Sequence, residues 1–415
     1  MKFCIKSWSK NSRARVGLLQ LTSFRQPENK KKEIEIETPA LVLTTRKGLP
    51  AFVSPDHLVA LQFCGSTLLQ FSPMHFMEGP NPKTISNIGG IHQLLGLKDY
   101  GFVSVPRDSI LSLPESSSSN KHGASFETPC GRFLVKPVEY MKMISSMKPD
   151  LWVSLADEVP ASATLKRNRA SVERTIRWLD DCISLDTSVR RMGLKAMMIC
   201  TVVTMYSPVT RKFHNYLSGL SQKLQHFLIE VLIPILLFLP CDGALFGSIV
   251  GGCSIEEREH CAQEVAKRNV AGYYIGGFGL GDSIDGRASL LHAVTDCLPN
   301  EKPRQICGLG LPEEVLQGVA AGIDLFDSTY IYQLTLGGFA LTFPLDGKFN
   351  HVSDPKLTAM GGDRTKINLK ATVYRKDASR IVDGCNCYTC QNHTKAYINH
   401  LLNVHEMLAP ILLEM

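Results

Sequence analysis

Long apolar runs are missing from this chain of 415 residues. The most apolar stretch, Phe227 to Leu239, carries Glu230 and Pro234 and is shorter than the about 20 residues of a membrane-spanning helix. It is therefore not read as transmembrane. A disulfide framework is missing too: the 13 cysteines are an odd number without regular spacing outside one cluster, which points to a reducing compartment. No acidic residue precedes Glu28, while Lys2, Lys6, Lys10, Arg13 and Arg15 are basic, as in a weak mitochondrial leader. Val16 to Leu21 and Ile34 to Leu43 nevertheless read as strands around a charged turn, so the segment is expected to open the fold. Extreme charge is also lacking. A formal net charge of +6 and a pI near 8.6 are compatible with a polyanionic partner without requiring one. A hydrophobic content of 44% with 20% charged residues excludes a disordered chain. The length suits one large domain or two ordinary ones.

Three thiols stand out against that background. Cys385-Asn386-Cys387-Tyr388-Thr389-Cys390 has the spacing C-x-C-x-x-C. Three thiolates from one tight turn suit a borderline-soft ion that prefers tetrahedral sulfur and nitrogen ligands, Zn²⁺ first. Gly384, just before the cluster, lets the backbone turn so that the sulfurs converge. The competing reading is a set of buried or disulfide-forming cysteines.

Between about 150 and 345 short apolar strands alternate with Gly or acidic loops and polar-apolar helices. Leu151 to Leu155 ends in Asp157-Glu158 and leads into a helix through Ala170 to Asp181. Ala244 to Val250 ends in Gly251-Gly252 before the helix Ile255 to Arg268. Ala271 to Ile275 ends in Gly276-Gly277 before Asp285 to Asp296. Ile306 to Leu309 precedes Pro312 to Ala321, and Ile323 to Phe326 ends in Asp327-Ser328. The alternation predicts a parallel sheet covered by helices, with the chemistry at the strand C-termini. A (β/α)₈ barrel and a doubly wound open sheet both satisfy it. Ser116 to Asn120 reads as a surface loop, and no such rhythm survives from 183 to 243.

Four segments give the chain a family resemblance: Phe246 to Gly252 (FGSIVGG), Gly272 to Asp282 (GYYIGGFGLGD), Gly322 to Asp327 (GIDLFD), and Cys385 to Cys390 followed by Thr394 to His400 (TKAYINH). In order and separation the chain resembles the queuine tRNA-ribosyltransferases, or tRNA-guanine transglycosylases, over most of its length. The resemblance implies a (β/α)₈ TIM barrel over residues 1–345 and a zinc-binding subdomain over 346–415. It also implies exchange of guanine at the tRNA wobble position for a deazaguanine base, through an aspartate nucleophile. Asp327 falls at the nucleophile position, Asp157 at that of a base-holding aspartate, and Gly276 and Gly277 at glycines whose amides approach the base. A carboxylate nucleophile suits a glycosidic carbon.

The departures from the family pattern carry as much information. The DSGGFQ motif of catalytic members is replaced by Asp99 to Ile110 (DYGFVSVPRDSI), and the glutamine of IVQGG by Val250. The arginine-rich PTRxAR stretch after the nucleophile is replaced by Tyr330 to Gly337 (YIYQLTLG), which has no basic residue. Base recognition and phosphate gripping are both weakened. The pattern resembles non-catalytic accessory members of the family. It implies a heterodimer with a catalytic homologue, tRNA bound through the complex, one Zn²⁺ per subunit, and residence in the cytoplasm or at the mitochondrial outer surface. Asp327 is then vestigial. An active transglycosylase using Asp327, and a zinc-dependent RNA-binding module, are the alternatives. Residues about 190–240 exceed the family's short connection and are expected to be an irregular insertion. The family's fourth zinc ligand, a histidine, would fall beyond Met415, so the metal site is expected to be one ligand short. A single helix from Thr394 to Leu413 is expected to present Ile398, Leu401, Leu402, Met407, Leu408, Ile411 and Leu412. Part of this face is expected to pack on the chain's own barrel and the remainder, with Leu401 and Leu408, on a partner.

Overall fold

A computed structural model describes residues 1–23, 32–60, 67–108, 110, 119–128, 130–205, 243–280, 282–343, 363 and 365–415. The chain opens with an antiparallel sheet, β1 (Lys2–Trp8), β2 (Arg15–Ser23) and β3 (Lys32–Thr38). In β3, exposed Glu33, Glu35 and Glu37 alternate with buried Ile34 and Ile36, the period of a half-buried strand. The apolar stretch Ile34 to Leu43 is two strands, because Pro39 has no N–H to give a ladder and β4 (Ala40–Thr44) starts after it.

The helices α1 (Pro55–Ala60), α2 (Pro82–Ile88) and α3 (Ile91–Leu95) lie among β5 (Leu68–Phe71) and β6 (Gly101–Ser104) in the sequence. A hairpin of β7 (Ala124–Thr128) and β8 (Gly131–Val135) follows, then α4 (Pro137–Met147), β9 (Leu151–Val153) and α5 (Leu165–Met205). The later units are β10 (Ala244–Ile249) with α6 (Ile255–Ala266), β11 (Gly272–Ile275) with α7 (Ile284–Asp296), β12 (Arg304–Ile306) with α8 (Pro312–Ala320), and β13 (Leu325–Asp327) with α9 (Thr329–Gly337). Strands β4, β5, β6, β9, β10, β11, β12 and β13 are parallel and close in that order into an eight-stranded barrel. Closure decides for the barrel over the open sheet. Two of the later helices carry the start signals of their sequence: Ser254 Oγ accepts the Glu257 amide at 3.3 Å to cap α6. Pro312 opens α8, and Glu314 reaches back to the Leu311 amide at 3.0 Å. The helix expected from Ala170 to Asp181 is the middle of α5, which continues to Met205 through part of the stretch expected to be irregular. The remainder of that expectation, 206–242, and Ser116 to Ser118 of the serine loop lie outside the described residues.

Val42, Val103, Val153, Phe246, Tyr274 and Leu325 of the barrel strands form one buried cluster with Leu19, Leu21, Ile34 and Ile36, so the N-terminal sheet packs onto the barrel core. Each such side chain contributes roughly 1.5–3 kcal/mol. Arg15 of β2 fastens this sheet: its Nε and Nη2 donate to Asp324 Oδ1 and Oδ2 at 2.8 and 2.6 Å, and both side chains are wholly buried.

Beyond the barrel, β14 (Phe339–Leu341) pairs with β15 (Lys366–Asn368). The terminal helices are α10 (Tyr388–Asn392), α11 (Lys395–Asn403) and α12 (Leu408–Glu414). The single helix expected over Thr394 to Leu413 is thus two, broken where His405 takes a left-handed φ of 60°. The break folds the apolar face inward. Ile398, Leu401, Leu402, Ala409 and Leu412 pack with Ala340, Ile367 and Leu369 in a small core of their own. Glu414 ties this core to the barrel by accepting the amides of Ala51 and Phe52 at 3.2 and 2.8 Å.

Candidate functional site

The loops that follow the barrel strands meet at one mouth. Asp327 is the last residue of β13 and is 4% exposed. Its Oδ1 accepts the Thr329 amide at 3.1 Å and its Oδ2 the Gly308 amide at 3.2 Å. The Cys307 thiol also hydrogen-bonds to it; burial first, then the Asp327 charge, push that thiol well above its usual range, so Cys307 stays protonated. Asp327 borders a cavity of about 640 Å³ with Arg107, Phe278, Arg287, Cys307 and Tyr330.

Asp157 is committed elsewhere. Arg167 of α5 donates to both of its oxygens at 2.8 and 2.7 Å, and Arg174 adds a contact at 3.0 Å. The Asp157 amide donates to Thr175 Oγ1 at 3.0 Å, and the side chain is 1% exposed. Two guanidiniums from one helix therefore hold this carboxylate. It is absent from the residues that border the cavity. Its neighbour Glu158 does not border the cavity either, but pairs with Arg107, which does, through Nε at 2.8 Å and Nη2 at 2.7 Å, with both side chains buried. The Glu158 charge raises Arg107 further above its already high range, against the opposing effect of burial.

Gly276 and Gly277 follow β11, and Gly277 has a φ of 78°, which favours glycine. A Cβ on Gly276 would lie 3.0 Å from Glu158 Oε1. Below them Arg258 of α6 donates to the carbonyls of Gly252, Gly276 and Gly277 at 2.7, 3.2 and 3.3 Å and lies 4.0 Å from the Phe278 ring centroid. Burial pulls Arg258 down to about 10, since the groups it touches are carbonyls and not carboxylates. Arg258 locks the loop that carries both glycines. The structure thus puts Asp327 on the cavity, Gly276 and Gly277 on the loop that leads to the cavity residues Phe278 and Gly279, and Asp157 against α5. Sequence reasoning missed Arg107, Glu158 and Arg258. Glu158 was legible beside Asp157, whereas nothing in the spacing linked Arg107 to it.

The cysteine cluster is the second candidate site. The sulfurs of Cys385, Cys387 and Cys390 all lie within 4.8 Å of one another. This is close to what bonds of about 2.3 Å to a single zinc ion require. Gly384 has a φ of 75° at the turn, and Cys387 Sγ accepts the Cys390 amide at 3.3 Å. The Cys387 amide lowers the Cys385 thiol, while burial pushes Cys390 up to about 12. A soft cation fits this set, and among the described residues no histidine or carboxylate joins it. Beside the cluster, His393 stacks on Tyr397 at 5.3 Å and meets Tyr388 edge-on at 5.8 Å. Tyr388 and Tyr397 are 48% and 40% exposed.

The family profile described as queuine tRNA-ribosyltransferase matches residues 10–233 and 235–415. The chain belongs to this family. It is similar to the queuine tRNA-ribosyltransferase accessory subunit 2 of Xenopus tropicalis, 29% identical over 91% of this chain and 85% of the relative. It is also similar to the protein of that name from Homo sapiens, 30% identical over 79% and 73%. The queuine tRNA-ribosyltransferase of Synechococcus elongatus is 25% identical over 91% and 80%.

Proposed function

We propose that this chain is the non-catalytic accessory subunit of a two-chain queuine tRNA-ribosyltransferase. It supports exchange of guanine for queuine at the wobble position of tRNAs with GUN anticodons, and a catalytic homologue performs the chemistry. The observation that carries the reading is the arrangement beside Gly276. Base recognition there would need free hydrogen-bonding groups, but Asp157 is bound by Arg167 and Arg174, and Glu158 by Arg107. Freeing Glu158 would break a buried ion pair, which typically costs about 3–5 kcal/mol, and freeing Asp157 would take it from two guanidiniums at once.

Asp327 favours a second reading, an active transglycosylase, because its carboxylate borders the cavity. A base-exchange assay separates the two. The accessory reading expects labelled guanine to enter tRNA only when the catalytic homologue is present, whereas incorporation by this chain alone would establish the second.

Cys385, Cys387 and Cys390 would hold one Zn²⁺, which would supply a structural cross-link between the cysteine turn and the terminal helices. The partner surface in this reading is exposed Tyr388 and Tyr397 with the half-buried His393 between them, together with Val404, Met407 and Leu408, which are also exposed. Such aromatics suit the centre of a protein interface. The thiol-rich composition fits the cytoplasm, with the mitochondrial outer surface a further location suggested by the family resemblance. Among the described residues no helix is long and apolar enough to cross a membrane.

A further inference from the structure

Resting on the accessory-subunit reading, we infer that the segment Lys370 to Arg380 is a docking strip for the sugar–phosphate backbone of RNA. Lys370, Arg375, Lys376 and Arg380 are all exposed, and none enters an ion pair among the described residues. From Leu369 to Val382 the sole carboxylate is Asp377. It is used internally, accepting the Ser379 amide and hydroxyl at 2.9 and 2.6 Å and lying 3.5 Å from Lys395. The strip therefore presents four cations against one internally bonded carboxylate, with exposed Asp383 following it.

The backbone beneath them is fixed. Asn399 Nδ2 of α11 donates to the carbonyls of Leu369 and Ala371 at 2.7 and 3.0 Å. The amides of Ala396 and Lys395 donate to Asp377 and Ser379 carbonyls at 2.8 and 3.0 Å. The strip is thus pinned along α11, while its four cationic side chains stay exposed. Rigid support of this kind lowers the ordering cost of binding a polyanion.

Its place in the fold ties the strip to the mouth. Lys366 donates to Tyr330 Oη at 2.9 Å, and Tyr330 borders the cavity beside Asp327. The Lys370 stem lies over Gly338, within 3 Å of where a Cβ there would stand. Gly338 ends α9, the helix that lacks every basic residue. Cations missing after the nucleophile position therefore reappear on the adjoining segment. An RNA strand leaving the mouth would meet them, and each phosphate contact would release counterions.

The test compares the full chain, alone and bound to the catalytic homologue, with a variant carrying Lys370→Ala, Arg375→Ala, Lys376→Ala and Arg380→Ala. The probes are a synthetic anticodon stem-loop RNA with a GUN anticodon and phosphatidylcholine–phosphatidylserine vesicles. The expected result is at least about tenfold weaker RNA binding near 0.15 M salt, with a slope of log K against log salt shallower by about 3. Metal content and thermal unfolding should be unchanged, and Arg375→Lys/Arg380→Lys should bind RNA nearly as the wild type does. Unaltered RNA affinity and slope in the alanine variant would overturn the inference. So would loss of vesicle binding with RNA binding intact, which would assign the strip to an anionic membrane. Capture of the catalytic homologue is measured in parallel on both proteins, so a failure of the accessory reading appears there and is distinguishable from a failure of the strip.

Discussion

Arg107 and Glu158 meet at 2.7 Å between the loops that follow β6 and β9, which are neighbours in the barrel. Both side chains are less than a tenth exposed, so each neutralises a charge that the mouth could not otherwise bury. Glu158→Ala is expected to destabilise the fold by about 3–5 kcal/mol, because it removes the carboxylate paired with the buried Arg107. Replacing both with methionine is expected to cost far less. Urea denaturation of the three proteins decides it. Equal losses in the single and double variants would remove the pair as an energetic unit.

Arg15 and Asp324 make the corresponding test beneath the barrel. Asp324→Ala strands a wholly buried guanidinium and removes an acceptor from the Arg304 amide at 2.7 Å. We expect a loss of about 3–5 kcal/mol, with earlier proteolysis of the N-terminal sheet. A change below about 1 kcal/mol would show that the apolar floor alone holds the sheet.

Cys385→Ala, Cys387→Ala or Cys390→Ala is expected to lower bound zinc from about one ion per chain to near none, and to loosen α10 to α12 in hydrogen exchange. Tag-free wild-type protein without zinc in elemental analysis would contradict the assignment.

Glu414 provides a pH signature for the tether. Burial raises its carboxyl above the ordinary value of 4.5, more than the Phe52 and Ala51 amides lower it. The folded state therefore binds the proton more tightly than the unfolded state. The resulting stability is fully present below the unfolded pKa and is lost as pH rises through the folded one. Glu414→Gln has no such titration, so wild-type stability relative to this variant should fall as pH rises through that window. A difference independent of pH would show that the carboxylate is not held as described.

Much of the fold was legible in the sequence because the barrel strands after 150 carry short apolar runs ended by glycine or carboxylate. Closure into a ring was not legible from that rhythm. It depends on pairing between β13 and β4, far apart in sequence, which local periodicity does not encode. The terminal helix was misread for a similar reason. Its apolar spacing runs on through Val404 to Met407, but packing against Ala340 and Ile367 bends the chain there. Leu401 is consequently a core residue and not a partner contact. Asp327, which borders the cavity, and Gly276 and Gly277, on the loop that Arg258 holds, were picked out by resemblance. Arg107 was not, because an ion pair across two loops has no sequence spacing.

Co-purification with the catalytic homologue, followed by guanine-exchange assays on each chain alone and on the complex, tests the central claim most directly. The account predicts no exchange by this chain alone, exchange by the complex, and less than about a threefold change, roughly 0.7 kcal/mol, when Asp327→Ala is built into the complex. Exchange by the isolated chain that disappears with Asp327→Ala would contradict it and make Asp327 the nucleophile.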